Sequence, residues 1–247
     1  MSHVSMRTDQ KPFNDVRVRQ ALSLAIDRQT LIEQTLEGAG VLNAAVPAFL
    51  RDWTLPVDQL GEGARYHKHD PVEARRLLAA AGYPNGFPAS VCFTTYGSNT
   101  LVDQVQVILK ALKDVGVNAR LDPREYGAYA ASCVLGKFDS MTFGPQTTFM
   151  EADNYLTPYY TPGEPKNQSH VNDPVLTDLL VRQRRTIDTG KRREVIAEIQ
   201  RYLARQQYYV VMPSAVAITV WEGAVKNYAP NLGYDYGGRL SAAWLDR

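Results

Sequence analysis

From Asp70 onward, helix and strand signals alternate with sharp boundaries, and this alternation constrains the chain more than any other feature. Asp70-Pro71-Val72-Glu73 reads as a helix start. It offers a capping carboxylate, a proline at the first helical position where its missing N–H costs nothing, and an acidic third position. The helix runs through 74–81 and stops at Gly82, and Pro84-Asn85-Gly86 turns the chain into a strand at about 89–95. Val102, Val105, Ile108, Leu109, Leu112 and Val115 then recur at helical spacing, Gly116 ends that helix, and Val117–Leu121 reads as a short strand. Tyr126–Leu135 reads as helix and Phe138–Phe143 as strand, with Gly144 opening a loop to about Asn154. Asp173-Pro174 starts another helix, Lys191–Gln206 gives one more, and Tyr208–Val220 is rich in β-branched residues and reads as strand. Such alternation predicts an α/β domain with a central mixed sheet flanked by helices. Periodicity selects Leu22, Ile26, Leu77, Leu78, Phe93, Ile108, Leu112, Phe138, Ile199 and Val211 for its core.

The preceding segment, Pro12-Phe13-Asn14-Asp15 followed by VRVRQALSLAIDR, begins one or two helices over 16–37 that end at Gly38 and Gly40. Asp15 is placed to cap them; Val16, Leu22 and Ile26 share a face, with arginines spread around the others. Residues 41–66 carry prolines, glycines and scattered polar residues and read as a long surface loop. Among 247 residues, 45% are hydrophobic and 21% charged, a globular balance, and the formal net charge of +1 gives no broad attraction to nucleic acid or anionic membrane. No apolar run approaches the roughly 18 residues that cross a bilayer. The start, MSHVSMRTDQK, is polar and lacks the apolar core of a signal peptide. Cys92 and Cys133 read as two buried free thiols; one disulfide stays open in an oxidising compartment, because sequence does not place their Cα atoms within bonding range.

PFNDVRVRQALSLAIDR closely resembles a segment of the extracytoplasmic solute-binding proteins of family 5, the oligopeptide, dipeptide and nickel receptors of ABC importers. The likeness continues through Tyr66, Asp70-Pro71, Leu77-Leu78 and Ala81-Gly82-Tyr83-Pro84-Asn85-Gly86-Phe87. It extends to Val115-Gly116-Val117, Gly136-Lys137-Phe138-Asp139, Asp153-Asn154-Tyr155-Leu156, Asn172-Asp173-Pro174 and Trp244-Leu245-Asp246. The resemblance implies a periplasmic-binding-protein type II-like lobe, the second of two hinged lobes that close on a solute and deliver it to permease subunits in the membrane. Residues 1–11 are then a disordered start or an expression remnant, 12–222 the second lobe, and 223–247 a return segment toward a missing N-terminal lobe. The polar start fits a chain beginning after the first lobe, with the signal peptide of a periplasmic or extracytoplasmic receptor upstream. Tyr228, Tyr234, Tyr236 and Trp244 of the return segment need a partner surface, so weak solute binding by this lobe alone and self-association are expected.

Two loops are candidates for the solute site. Phe143 and the loop Gly144-Pro145-Gln146-Thr147-Thr148-Phe149-Met150 follow a strand, so the loop stands at the sheet end where α/β domains bind ligands. In peptide-binding members an aspartate in this loop holds the ligand α-ammonium; counting back from Glu151-Ala152-Asp153-Asn154, that position is Thr148, which supplies no charge. Tyr96, Gly97, Ser98 and Asn99 join a strand to a helix start, as a site for a carboxylate, phosphate or hydroxyl or merely as a cap. His67, His69 and His170 could suggest a metal, but read better as residues of a solvated loop with no complete ligand shell. The Tyr159-Tyr160 and Tyr208-Tyr209 pairs read as core or rim rather than as ligand platforms. No phosphate loop, G-x-S-x-G, H-E-x-x-H or C-x-x-C occurs, so neither an enzyme nor a cofactor is expected. The function implied is recognition of a small-molecule or peptide-like solute for an ABC importer. The competing reading is the ligand-sensing domain of a cytoplasmic transcriptional regulator, whose DNA-binding part would lie in other sequence.

Overall fold

The computed structural model describes residues 2–96, 99–216, 219–228 and 242–246. Five strands form the central sheet: β1 (Ser2–Met6), β3 (Phe87–Phe93), β4 (Val117–Pro123), β5 (Met141–Pro145) and β6 (Tyr209–Val211), in the order β4–β3–β5–β1–β6. The first three of that order are mutually parallel, and β1 runs antiparallel to both β5 and β6. Two short antiparallel pairs accompany the sheet: β2 (Gly40–Val41) with β7 (Ser214–Ala215), and β8 (Val225–Lys226) with β9 (Trp244–Leu245).

Helices cover both faces. On one side α1 (Val16–Ala25), α2 (Arg28–Thr35), α3 (Pro71–Ala80) and α4 (Asn99–Asp114) bury Leu22, Leu31, Leu77, Leu78, Ile108 and Leu112 against Val4, Met6, Phe93, Met141 and Phe143. On the other, α6 (Thr157–Tyr160), α7 (Pro174–Arg185) and α8 (Thr189–Gln206) enclose a second cluster with Val46, Leu50 and Tyr209. A small third cluster joins α5 (Tyr126–Ser132) to Cys92, Cys133 and Phe138. All ten residues expected in the core are buried. The expected caps are present: the carboxylates of Asp15, Asp70 and Asp173 accept from the first-turn amides of α1, α3 and α7, each worth about 1 kcal/mol.

The structure corrects several expectations. The expected disordered start over 1–11 does not hold for its described residues, 2–11, since β1 lies inside the sheet with all five residues buried. Val4 and Met6 face the large core, whereas Ser5 donates to Gln168 Oε1 at 2.9 Å and the Met6 amide donates to Ser169 Oγ at 3.1 Å. A polar-looking strand is thus matched by a hydrogen-bonding layer beneath it. The stretch 41–66 is not a surface loop: Ala44, Val46, Leu50, Leu60 and Tyr66 are buried, and two 3₁₀ turns span Val57–Gln59 and Gly61–His67. Two of the helix arginines are also internal. Arg19 donates to the carbonyls of Gln206 and Phe13, both at 2.9 Å, and Arg28 to those of Val211 at 3.0 Å and Ser23 at 3.1 Å. Burial pulls both guanidinium pKa values down, that of Arg28 to about 10. Cys92 and Cys133 are not free thiols; they form a disulfide with Cα atoms 6.4 Å apart. The stretch 208–220 holds only β6 and β7 as regular strand among its described residues.

Candidate functional site

Because β3 is parallel to both β4 and β5, the C-terminal ends of all three strands point the same way. The antiparallel β1 brings Ser2 and His3 to that end, opposite Pro145 and Gly144. This places the segments after β3, β4 and β5 side by side: Thr94–Tyr96 with Asn99 at the start of α4, Arg124–Tyr126 at the start of α5, and the loop from Gln146 to Phe149. In α/β sheets this is the edge at which ligands bind.

Of the residues expected in the site, Tyr96, Asn99, Gln146, Thr147, Thr148 and Phe149 lie at this edge; Gly97 and Ser98 fall outside the described residues. Phe143 points elsewhere. Its ring is fully buried in the large core, stacked on Phe93 at a centroid distance of 6.3 Å, so it supports the loop from below. Thr147 is exposed and Thr148 half-buried. Phe149 is tied to Tyr155: its amide donates to the tyrosine hydroxyl at 2.7 Å, and that hydroxyl donates to its carbonyl at 3.1 Å. Lys166 Nζ sits 4.7 Å from the Phe149 ring centroid.

Three residues of this edge escaped the sequence reading. Tyr126 stacks on Tyr96 with centroids 4.1 Å apart and planes at 29°. Tyr129, one helical turn on, is buried with its hydroxyl pressed against Gly144, where a β-carbon would collide with it. His3 is buried beside Tyr209 and hydrogen-bonds the Gln146 side-chain amide, whose own oxygen is shielded and without a donor. Burial drives the His3 pKa down to about 3, so the ring is neutral at ordinary pH. Tyr126, three residues past the end of β4, joins the edge only through its stacking on Tyr96, and His3 lies in a strand that itself went unread.

Around this edge Arg124, Glu125 and Glu151 are engaged with other side chains or with backbone, whereas the Lys166 ammonium meets only the Phe149 ring among the described residues. Arg124 donates to Asp122 Oδ2 at 2.7 Å and to Ser132 Oγ at 2.8 Å. Glu125 accepts from the Gly127 amide at 2.8 Å and caps α5, and Glu151 pairs with Arg192 at 2.5 Å. The three histidines once considered for metal do not meet as a site. His67 is half-buried and not in a solvated loop, His69 lies 3.5 Å from Asp27, and His170 meets the Gly136 carbonyl at 2.9 Å. Among the described residues no three His, Cys, Asp or Glu side chains converge as a metal would require.

A mixed sheet with one antiparallel strand inserted, helices on both faces and open loops at one edge is the lobe architecture of periplasmic binding proteins. The chain superposes over its whole length on DppA from Helicobacter pylori, solved with the peptide STSA, with a TM-score of 0.77 at 23% identity, covering 47% of that chain. Residues 1–167 match the "Bacterial extracellular solute-binding proteins, family 5 Middle", and the chain belongs to this family. It is 25% identical over 241 residues to heme-binding protein A of Haemophilus influenzae, covering 95% of this chain and 43% of that protein. It is 30% identical over 210 residues to the glutathione-binding protein GsiB of Pectobacterium atrosepticum, covering 80% of this chain and 39% of that protein. The chain therefore spans less than half the length of these two curated relatives.

Proposed function

We propose that residues 1–247 are the second lobe of a two-lobed receptor that captures a small solute outside the cytoplasm and presents it to the permease of an ABC importer. The observation that carries this is the family match over residues 1–167 together with coverage of under half of each relative. One lobe supplies one wall of a cleft, and the open edge built from Tyr96, Tyr126 and the Gln146–Phe149 loop has that character. The disulfide supports an oxidising compartment over the cytoplasm, and so the receptor over the transcriptional regulator. The relatives are named for heme, glutathione and peptides, so they do not transfer a single ligand. Thr148 at the position of the ammonium-binding aspartate argues against a free peptide N-terminus as the anchor in this lobe. Native mass spectrometry of the complete receptor purified from its own host tests the reading. A released small solute, together with loss of its uptake when the receptor gene is deleted, is the expected result. A receptor carrying no solute and a deletion strain with unchanged uptake would overturn it.

A further inference from the structure

We propose that Lys166 is the residue by which this lobe holds its solute, through a carboxylate drawn against the Phe149 ring and the free amides of Thr147 and Thr148. The proposal rests on reading the chain as one lobe of a solute receptor, and it adds which residue of that lobe does the gripping. Lys166 Nζ stands 4.7 Å from the Phe149 ring centroid and enters no ion pair among the described residues. The residue is half-buried, so its charge is held at the ligand edge of the sheet rather than trailing in bulk water. An ammonium resting on an aromatic face keeps its outward hydrogens free for an anion.

Both members of this contact are fixed before a solute arrives. The Phe149 ring packs edge-on against Tyr155 at a centroid distance of 6.1 Å, and its backbone is tied to the same tyrosine hydroxyl. Lys166 precedes Asn167, whose side chain donates to the carbonyls of Thr161 at 3.1 Å and Val171 at 2.9 Å and accepts from the Val171 amide at 2.9 Å. The base of the lysine is therefore rigid, and only its aliphatic stem is left to order on binding.

The surroundings favour an anion. Glu151 pairs with Arg192, and Asp153 accepts from the Thr157 hydroxyl at 2.5 Å and lies 3.4 Å from Arg184. Glu164, two residues before Lys166, is exposed and makes no ion pair among the described residues. Residues 146–150 carry no charge of either sign. The amides and hydroxyls of Thr147 and Thr148 have no hydrogen-bond partner among the described residues, so two free amide donors directly precede the ring that the ammonium covers. A carboxylate placed there gains a counter-charge and amide donors. A ligand ammonium would instead lose water beside a like charge.

The test uses the complete receptor and two pairs of probes in isothermal titration. N-acetyl-Met-Leu keeps the carboxylate and lacks the ammonium, and Met-Leu amide is the reverse; reduced glutathione and its diethyl ester differ in the carboxylates alone. The expected result is that in at least one pair the carboxylate form binds at least about tenfold more tightly. Lys166→Gln should remove that preference without moving the thermal midpoint, and Lys166→Arg, which keeps the charge, should retain it. Equal binding of the two forms, a preference for the amide or ester, or a carboxylate preference indifferent to Lys166→Gln overturns the proposal and leaves the receptor reading standing. Binding of none of the four overturns it too, and the mass-spectrometric test then decides the receptor reading separately.

Discussion

At the scale of single residues, the proposed lack of an ammonium clamp in this lobe turns on Thr148. A desolvated ammonium–carboxylate pair is worth a few kcal/mol, and threonine supplies none of it. In the complete receptor, Thr148→Asp should therefore raise affinity for free Met-Leu by at least about tenfold, and N-acetyl-Met-Leu should gain nothing. An equal response to both peptides in titration would show that position 148 does not face a ligand ammonium. Residues whose role is local were legible in the sequence: Asp15, Asp70 and Asp173 cap helices because a carboxylate directly before an amphipathic run has only nearby amides to satisfy. Arg19 and Arg28 were not, because their partners are carbonyls up to 187 residues away in the chain. A charge on an amphipathic helix is normally solvated. Here the guanidinium donors are consumed by the chain ends of α8 and β6, and nothing within the helix announces it. Tyr96 was legible as a candidate, whereas its partner Tyr126 depended on a stacking that only the fold creates.

At the scale of elements, α5 governs the candidate edge. Its first residue stacks on Tyr96, its Tyr129 hydroxyl occupies the space a side chain at Gly144 would need, and the turn that follows it is bonded through Cys133 to β3. Both candidate loops are therefore referenced to one short helix. A cross-link spanning 41 residues restricts the unfolded chain by about 4 kcal/mol on the chain-entropy account. Reduction, or the double replacement Cys92→Ala with Cys133→Ala, should lower unfolding stability by up to about that amount in urea titration. Coincident unfolding curves with and without reductant would show that the cross-link does not form in solution. Elements were legible wherever the hydrophobic period was long. α3, α4, α7 and α8 were placed within a few residues. β1 was missed because a five-residue strand with a polar face reads as coil when its hydrogen-bonding partners, Gln168 and Ser169, are remote in sequence. The 41–66 stretch was misread for a related reason: its buried residues are spaced irregularly and divide among three clusters, Tyr66 with the large core, Val46 and Leu50 with the second, and Ala44 and Leu60 with Ala204 of α8.

At the scale of the whole molecule, two histidines whose rings are cut off from water, the buried His3 and the half-buried His67, set the acid limit. His3 and His67 both have pKa values pushed down to about 3 from an ordinary 6.5, chiefly by burial, with Arg28 adding to the effect on His67. Below pH 6.5 the unfolded chain takes up protons that the folded chain refuses. Stability is therefore complete above that pH and is lost as pH falls toward 3, at about 1.4 kcal/mol per unit for a fully buried ring. Urea midpoints should fall steadily from pH 7 to pH 4.5, and His3→Gln should flatten the fall. Midpoints unchanged over that range would mean that these rings are open to solvent. The second molecular property is incompleteness. Val220 is 89%, Trp244 56% and Trp221 45% exposed, apolar surface that the proposed two-lobed receptor would cover with its first lobe. Receptors that hold a solute between two lobes bury most of its surface, and closure cannot occur with one wall. The isolated chain should thus bind any solute of the complete receptor at least about a hundredfold more weakly, since half of the contacts and the exclusion of water are missing. Its exposed apolar segment should make its mass in light scattering rise with concentration. Titrating fragment and complete receptor with the same solute checks the first expectation, and the dilution series checks the second. Equal affinities from a strictly monomeric fragment would mean that residues 1–247 suffice as a binding domain.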